Sequence, residues 1–380
     1  MSSSNQTPSR NKTSAIKPKS SIATMVSYTP NHGGASKPGR VIRLSANEGA
    51  LGMSPKALTA MRTADPELHR YPAVAASRLA EAVAKRNGID PAGIVFGCGS
   101  DELIQTLCLA YLEPGDEAIH TQYGFLVYPM ATRIAGGVPV MAPDDDYTVS
   151  VDAILAAVSD RTRMVFLANP NNPTGTYIPQ DEVKRLRAGL RDDILLVMDA
   201  AYCEYVTKND FDSGIELVEA HDNVVMLRTF SKLYGMAGLR LGWAYAPKDI
   251  AATLESIKQP FGVNSLAIAA GIAAVEDLAF QEAVVESNNR WLPWSVEKFI
   301  ELGLEALPTV TNFMLLRFPE EEGRDAAAAR AFLAERNILV REMGGYGVPD
   351  TVRLSIGTGD EMRDVVDALA DFLGKERPAS

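Results

Sequence analysis

The chain has 380 residues, 46% of them hydrophobic and 22% charged, which describes an ordinary globular protein too long for one compact core. Its 48 acidic residues against 37 basic ones leave a net charge of -11, which argues against non-specific binding of nucleic acid. No apolar run approaches membrane-spanning length, and three cysteines and four histidines without ligand spacing argue against a metal site or a disulfide framework and suit the reducing cytoplasm.

Residues 1–20 are Ser-rich and free of acids, the first acidic residue being Glu48; they read as a flexible leader. Residues 21–45 are expected to pack with a small C-terminal domain. From about residue 47 to 261 short apolar runs alternate with helical patterns, the signature of an α/β domain with a largely parallel sheet and helices on both faces. Its clearest runs, 163–168 (RMVFLA), 194–198 (ILLVM) and 224–229 (VVMLRT), are nearly continuous, as strands buried on both faces should be. A helix-compatible stretch at 180–190 between the first two has the length that a crossover needs.

After residue 262 the texture changes to an alanine-rich and then charged helical stretch over 265–302. Apolar runs follow at 312–318, 338–341 and 352–356, separated and followed by helical patterns at 324–336 and 360–373. The expected division is a large domain at 46–262 and a small α+β domain at 263–380.

Open parallel sheets bind ligands beyond the carboxyl ends of their strands. Here those ends lead into Asn169-Pro-Asn-Asn172-Pro-Thr-Gly175, Asp199-Ala-Ala-Tyr202 and Phe230-Ser231-Lys232. Singly these read as a turn, a helix cap and a surface lysine. Together an amide, a carboxylate, a phenol and an amine converge on one sheet edge, and they meet the needs of pyridoxal phosphate. That cofactor requires a lysine to carry it, a carboxylate at its pyridine nitrogen and donors at its phenolate oxygen. Residues 94–96 lead into Gly97-Cys-Gly-Ser-Asp-Glu102 before a helical pattern, a turn whose N–H groups suit a phosphate. It lacks the spacing of a dinucleotide or nucleoside-triphosphate loop.

The whole set resembles the fold-type I pyridoxal-phosphate aminotransferases, specifically the histidinol-phosphate aminotransferase group. It consists of Ala46-Asn47-Glu48-Gly49, Arg70-Tyr71-Pro72, 97–102, Tyr123-Gly124, 169–175, 199–202 and 229–242 (TFSKLYGMAGLRLG), in that order. The resemblance, from about residue 22 onward, implies that Lys232 carries the cofactor as a Schiff base and that Asp199 pairs with the pyridine nitrogen. Asn172 and Tyr202 would bond the phenolate oxygen, and Tyr123 would stack on the ring. Ser100 and Asp101 would hold the phosphate through backbone amides, with Thr229, Ser231 and Arg240; Glu102, in the same turn, counts among the cofactor contacts.

Tyr71 matches a tyrosine that reaches the partner subunit's phosphate, which implies a homodimer with shared active sites. Arg341 and Arg353 lie on strand-like runs. Arg353 is expected to bind the substrate phosphate in one half-reaction and the oxo-acid carboxylate in the other, as a planar guanidinium can. Tyr28 and Asn47 are expected near the substrate. Glu48-Gly49-Ala50-Leu51 departs from the family's proline-containing form of that segment. The implied activity is transfer of an amino group between L-histidinol phosphate and 2-oxoglutarate, with an aromatic amino-acid aminotransferase or a threonine-phosphate decarboxylase as alternatives.

Overall fold

The computed structural model describes residues 16–23, 25, 39–64, 68–72 and 75–378. A short helix α1 (Ser20–Ala23) and strand β1 (Ile42–Arg43) precede α2 (Pro55–Ala64) and α3 (Ala75–Asn87). Then come β2 (Ile94–Gly97), α4 (Ser100–Tyr111), β3 (Glu117–Thr121), α5 (Val127–Ala135), β4 (Val138–Ala142) and α6 (Val151–Ala156). The chain continues through β5 (Thr162–Ala168), α7 (Gln180–Gly189), β6 (Leu195–Asp199), α8 (Ile215–Ala220), β7 (Val224–Thr229), β8 (Gly242–Tyr245), α9 (Lys248–Ile257) and α10 (Ser265–Glu276). It ends with α11 (Leu278–Glu301), β9 (Glu305–Ala306), β10 (Phe313–Arg317), α12 (Ala326–Glu335), β11 (Ile338–Leu339), β12 (Arg341–Glu342), β13 (Thr351–Ser355) and α13 (Gly359–Leu373).

A seven-stranded sheet runs β2-β8-β7-β6-β5-β3-β4. Its members are parallel except β8, which is antiparallel to both β2 and β7. Alternate residues of each strand serve opposite layers. Val165, Leu167, Leu196, Met198 and Met226 pack with α3, α7 and α10, while Phe166, Val197, Val225 and Leu227 pack with α4, α5 and α9. Coverage on both faces is why these strands read as unbroken apolar runs. Each fully buried aliphatic side chain contributes roughly 1.5–3 kcal/mol relative to exposure.

The second core surrounds the antiparallel sheet β12-β13-β10-β9, covered by α12, α13 and the end of α11. The run expected at 338–341 divides: β11 pairs in parallel with β1, whereas β12 joins β13. Ile42 of β1 and the adjoining Leu44 belong to this core. Helix α10, expected in the small domain, belongs instead to the large core: Ala267, Ala270 and Ala274 are buried there, against α2 and α3. The long helix α11 crosses between cores, with Val284 in the large one and Phe299 in the small one. The packing therefore divides inside α11 rather than at residue 262.

Among the described residues no helix is long and apolar enough to cross a membrane.

Candidate active site

Sheet register brings the strand ends together. Ala168 lies beside Asp199, Asp199 beside Leu227, and Gly242 sits between Thr229 and Gly97. The turn after β2, the carboxylate ending β6 and the lysine loop after β7 thus open on one edge. They line a cavity of about 510 Å³ together with Asn47, Tyr202, Arg240, Arg341 and Arg353, a size that accommodates a cofactor and a small substrate.

Lys232 Nζ donates to the carbonyl of Ala46 at 2.8 Å and lies 5.7 Å from the Tyr202 ring centroid. Burial, with the Arg353 charge, pushes its amine down to about 8. Asp199, 6% exposed, accepts from the Tyr128 hydroxyl at Oδ2 (2.8 Å) and from the Ala201 N–H at Oδ1 (3.2 Å). Burial pushes its carboxyl up to about 6 against those hydrogen bonds. The Tyr202 hydroxyl accepts from Asn47 Nδ2 at 2.9 Å, and burial raises this phenol above its ordinary range.

At the other side of the sheet edge, Gly99 (φ 81°) turns the chain into α4, whose first residue, Ser100, lines the cavity. A Cβ on Gly99 would stand 2.3 Å from Arg240 Nη2, and one on Gly242 would stand 2.3 Å from the Ser100 nitrogen. The first helical N–H groups are thus packed directly against the arginine and the sheet. Arg240 is left-handed (φ 55°), a conformation that costs about 1 kcal/mol for a residue with a Cβ. Its guanidinium reaches Ser231 Oγ (3.4 Å) and Asp101 Oδ2 (3.2 Å). Thr229 Oγ1 accepts from the Ser231 N–H at 3.1 Å, completing a group of hydroxyls, amides and one cation.

The small core supplies the facing wall. Arg341 and Arg353 are partners in the β12–β13 register, and both are buried. Arg353 donates to Asn172 Oδ1 (2.5 Å) and to the Ser45 carbonyl (3.0 Å), and lies over the Phe313 ring. Its buried Nε has no hydrogen-bond partner among the described residues. Asn47, also left-handed (φ 55°), is locked by its N–H donating to Ser355 Oγ at 2.8 Å.

Three of the expected site residues lie outside the lining of this chain's cavity. Tyr123 does not line the cavity: the turn at Gly124 sends its ring onto Tyr147 (centroids 5.2 Å apart), and its N–H donates to Asp144. Phe125, one residue beyond the turn, lines the cavity instead. Glu102 turns back to accept from the Cys98 N–H and lies outside the cavity. Tyr71, 77% exposed, stacks on Phe261 at 4.6 Å outside this chain's own cavity, a position compatible with the expectation that it serves a neighbouring subunit. Tyr28 lies outside the described residues. Among lining residues that the sequence reading missed are Tyr128 and Tyr346; an aromatic pair spaced i, i+3 just after β3 was the available signal for Phe125 and Tyr128.

A family profile for aminotransferase class I and II matches residues 39–369. The chain belongs to that family. The aminotransferase is 55% identical to the histidinol-phosphate aminotransferase of Paramagnetospirillum magneticum, over 88% of this chain and 92% of the relative. It is 49% identical to the enzyme of the same name from Rhodospirillum centenum, over 94% and 98%. Its fold superposes with a TM-score of 0.87 on the histidinol-phosphate aminotransferase of Sinorhizobium meliloti solved in complex with pyridoxal-5'-phosphate, at 28% identity over 96% of this chain and 99% of that one. The architecture is that of the fold-type I enzymes, which use pyridoxal 5'-phosphate. The residues present fit this cofactor: a buried amine of lowered basicity, a buried carboxylate, and a phosphate-sized turn closed by an arginine. Lys232 would hold its carbon end, Asp199 its ring nitrogen, and Ser100, Asp101, Thr229, Ser231 and Arg240 its phosphate.

Proposed function

We propose that the enzyme moves an amino group between L-histidinol phosphate and 2-oxoglutarate, producing imidazole acetol phosphate and L-glutamate, as a step of L-histidine biosynthesis. The observation that carries this reading is the second anion wall, Arg341 beside Arg353 on paired strands with both residues lining the cavity. A substrate with a phosphate needs such a wall in addition to the cofactor's own phosphate turn. The name borne by the relatives supports the same donor.

When bound, pyridoxal phosphate supplies an electron-accepting ring that stabilises negative charge at the substrate carbon. Lys232 Nζ, its basicity lowered by burial, takes the proton from that carbon and returns it one position away. The Asp199 carboxylate holds a proton on the ring nitrogen. Asn172 and Tyr202 orient the phenolate side, and Phe125 and Tyr346 wall off water. Arg353, with Arg341, binds the donor's phosphate in one half-reaction and the oxo-acid's carboxylate in the other. The working unit is a homodimer in which Tyr71 reaches the neighbouring subunit's cofactor phosphate, supported by its exposure beside Phe261. Its compartment is the cytoplasm, which the free Cys98, Cys108 and Cys203 suit.

The test is a half-reaction: cofactor-loaded enzyme mixed with one amine at a time, following the cofactor's absorbance. Fast conversion with histidinol phosphate and slow conversion with phenylalanine is expected. Preference for phenylalanine or tyrosine would move the enzyme to aromatic metabolism and overturn the reading.

A further inference from the structure

Tyr128 lies in the first turn of α5 and is 1% exposed. Its ring is fixed by stacking on Phe166 of β5 (4.7 Å, 5°) and by an edge contact with Phe125 (5.8 Å, 87°). Its hydroxyl donates to Asp199 Oδ2 at 2.8 Å. With the Ala201 N–H on Oδ1, each carboxylate oxygen thus receives one neutral donor from the protein.

A carboxylate and a pyridine nitrogen that share a proton in a buried site can exist as an ion pair or as a neutral acid beside a neutral ring. Burial favours the neutral arrangement, because it removes the solvation of both charges. Donors to the carboxylate favour the ion pair. The groups facing Asp199 are Tyr128 from α5, Lys232 from the loop after β7, and Asp101 from α4. Tyr202, from the turn after β6, faces both Asp199 and Tyr128. Of the influences that oppose burial at Asp199, the Tyr128 hydrogen bond is the largest; Ala201 and Lys232 follow, and Asp101 works the other way.

We propose that Tyr128 is a positioning residue for the reaction: its hydroxyl makes Asp199 a weaker proton acceptor and so keeps the shared proton on the ring nitrogen of the bound cofactor. The hydroxyl touches neither substrate nor reacting carbon and acts only through Asp199. This rests on the cofactor and on Asp199 facing its ring nitrogen, not on the identity of the amine donor, so it stands or falls apart from the choice between histidinol phosphate and phenylalanine.

The experiment uses enzyme loaded with cofactor labelled with 15N in the ring and reads the nitrogen signal by NMR. In Tyr128→Phe, which keeps the aromatic stack, the signal should move toward the unprotonated position. The half-reaction rate should fall about tenfold, the scale of one hydrogen bond, with little change in KM. In an Asp199→Asn background the same substitution should change neither signal nor rate further. Placing 3-fluorotyrosine at position 128 leaves the packing intact and strengthens the donor, and should shift the signal toward the protonated position. A parental nitrogen signal in Tyr128→Phe and in the fluorinated protein, or an equal rate loss with and without Asp199, would overturn the proposal and leave Tyr128 a packing residue.

Discussion

Burial disfavours whichever form of a group carries charge, so it acts in opposite directions on the two ionisable residues at the centre of the site. It lowers the Lys232 amine to about 8 and raises the Asp199 carboxyl to about 6. The lowered amine is what allows a lysine to act as nucleophile and proton carrier near neutral pH. Lys232→Ala should therefore cut kcat by at least about a thousandfold and leave the cofactor removable by gel filtration. Retained cofactor with normal turnover would remove Lys232 from the mechanism.

For Asp199 the sign runs through stability. Its carboxyl is raised from 3.8 to about 6 in the folded chain, so between those values the folded state binds more protons than the unfolded one. Stability of the cofactor-free protein should fall as pH rises across that window, and the cost persists above it. Asp199→Asn removes the titration. It should stabilise the cofactor-free protein at pH 7 more than at pH 4, by an additional amount of up to about 3 kcal/mol, while greatly reducing turnover. Urea melts at the two pH values check this, and an equal effect at both would show that the buried charge costs nothing.

At the scale of elements, the entrance to α4 shows how glycine geometry shapes the proposed phosphate site. Gly99 supplies a positive φ and leaves space for the Arg240 guanidinium, while Gly242 lets β8 lie against the first turn of the helix. Gly99→Ala introduces backbone strain and a methyl 2.3 Å from Arg240 Nη2. It should weaken cofactor binding by about 10- to 100-fold, the loss of one charge-assisted hydrogen bond, measured by fluorescence titration. Unchanged affinity would mean that Arg240 moves aside without consequence for the phosphate. The same sensitivity to small residues explains α10. Its alanines, with Gly271, bring it close to α2 and α3, so an alanine-rich stretch that looks like the start of a new domain is part of the large core.

Over the whole molecule, the site exists only where two cores meet. Lys232 and Asp199 come from the large sheet, Arg341 and Arg353 from the small one, and α11 ties the two together. Across the seam, Tyr123, Leu126 and Tyr147 of the large part pack with Leu307, Met343 and Tyr346 of the small part, and Arg317 lies over the Tyr147 ring. The proposed dimer extends this logic to a second chain. Inactive Lys232→Ala protein mixed and refolded with Tyr71→Ala protein should recover activity, because a hybrid dimer contains one site with both residues intact. No recovery above the separate proteins would confine each site to its own subunit.

What the sequence by itself determined are the residues that leave the buried strands. Continuous apolar runs require burial on both faces, so Asp199, the amide-rich turn through Asn172 and the Ser231-Lys232 pair could only emerge at a sheet edge, and parallel pairing places them on the same one. The glycines before α4 were legible for a similar reason, since a strand that turns sharply into a helix needs them. Tertiary structure decided what lies beyond a turn. Whether Tyr123 or Phe125 faces the cavity depends on the twist at Gly124 and on Tyr147, residues whose meeting no local pattern encodes. Glu102 is drawn to its own turn's backbone, and Tyr128 reaches Asp199 across 71 positions of sequence. Such choices are made by packing and hydrogen-bond satisfaction between distant segments, which become neighbours only when the sheet and its helices are assembled.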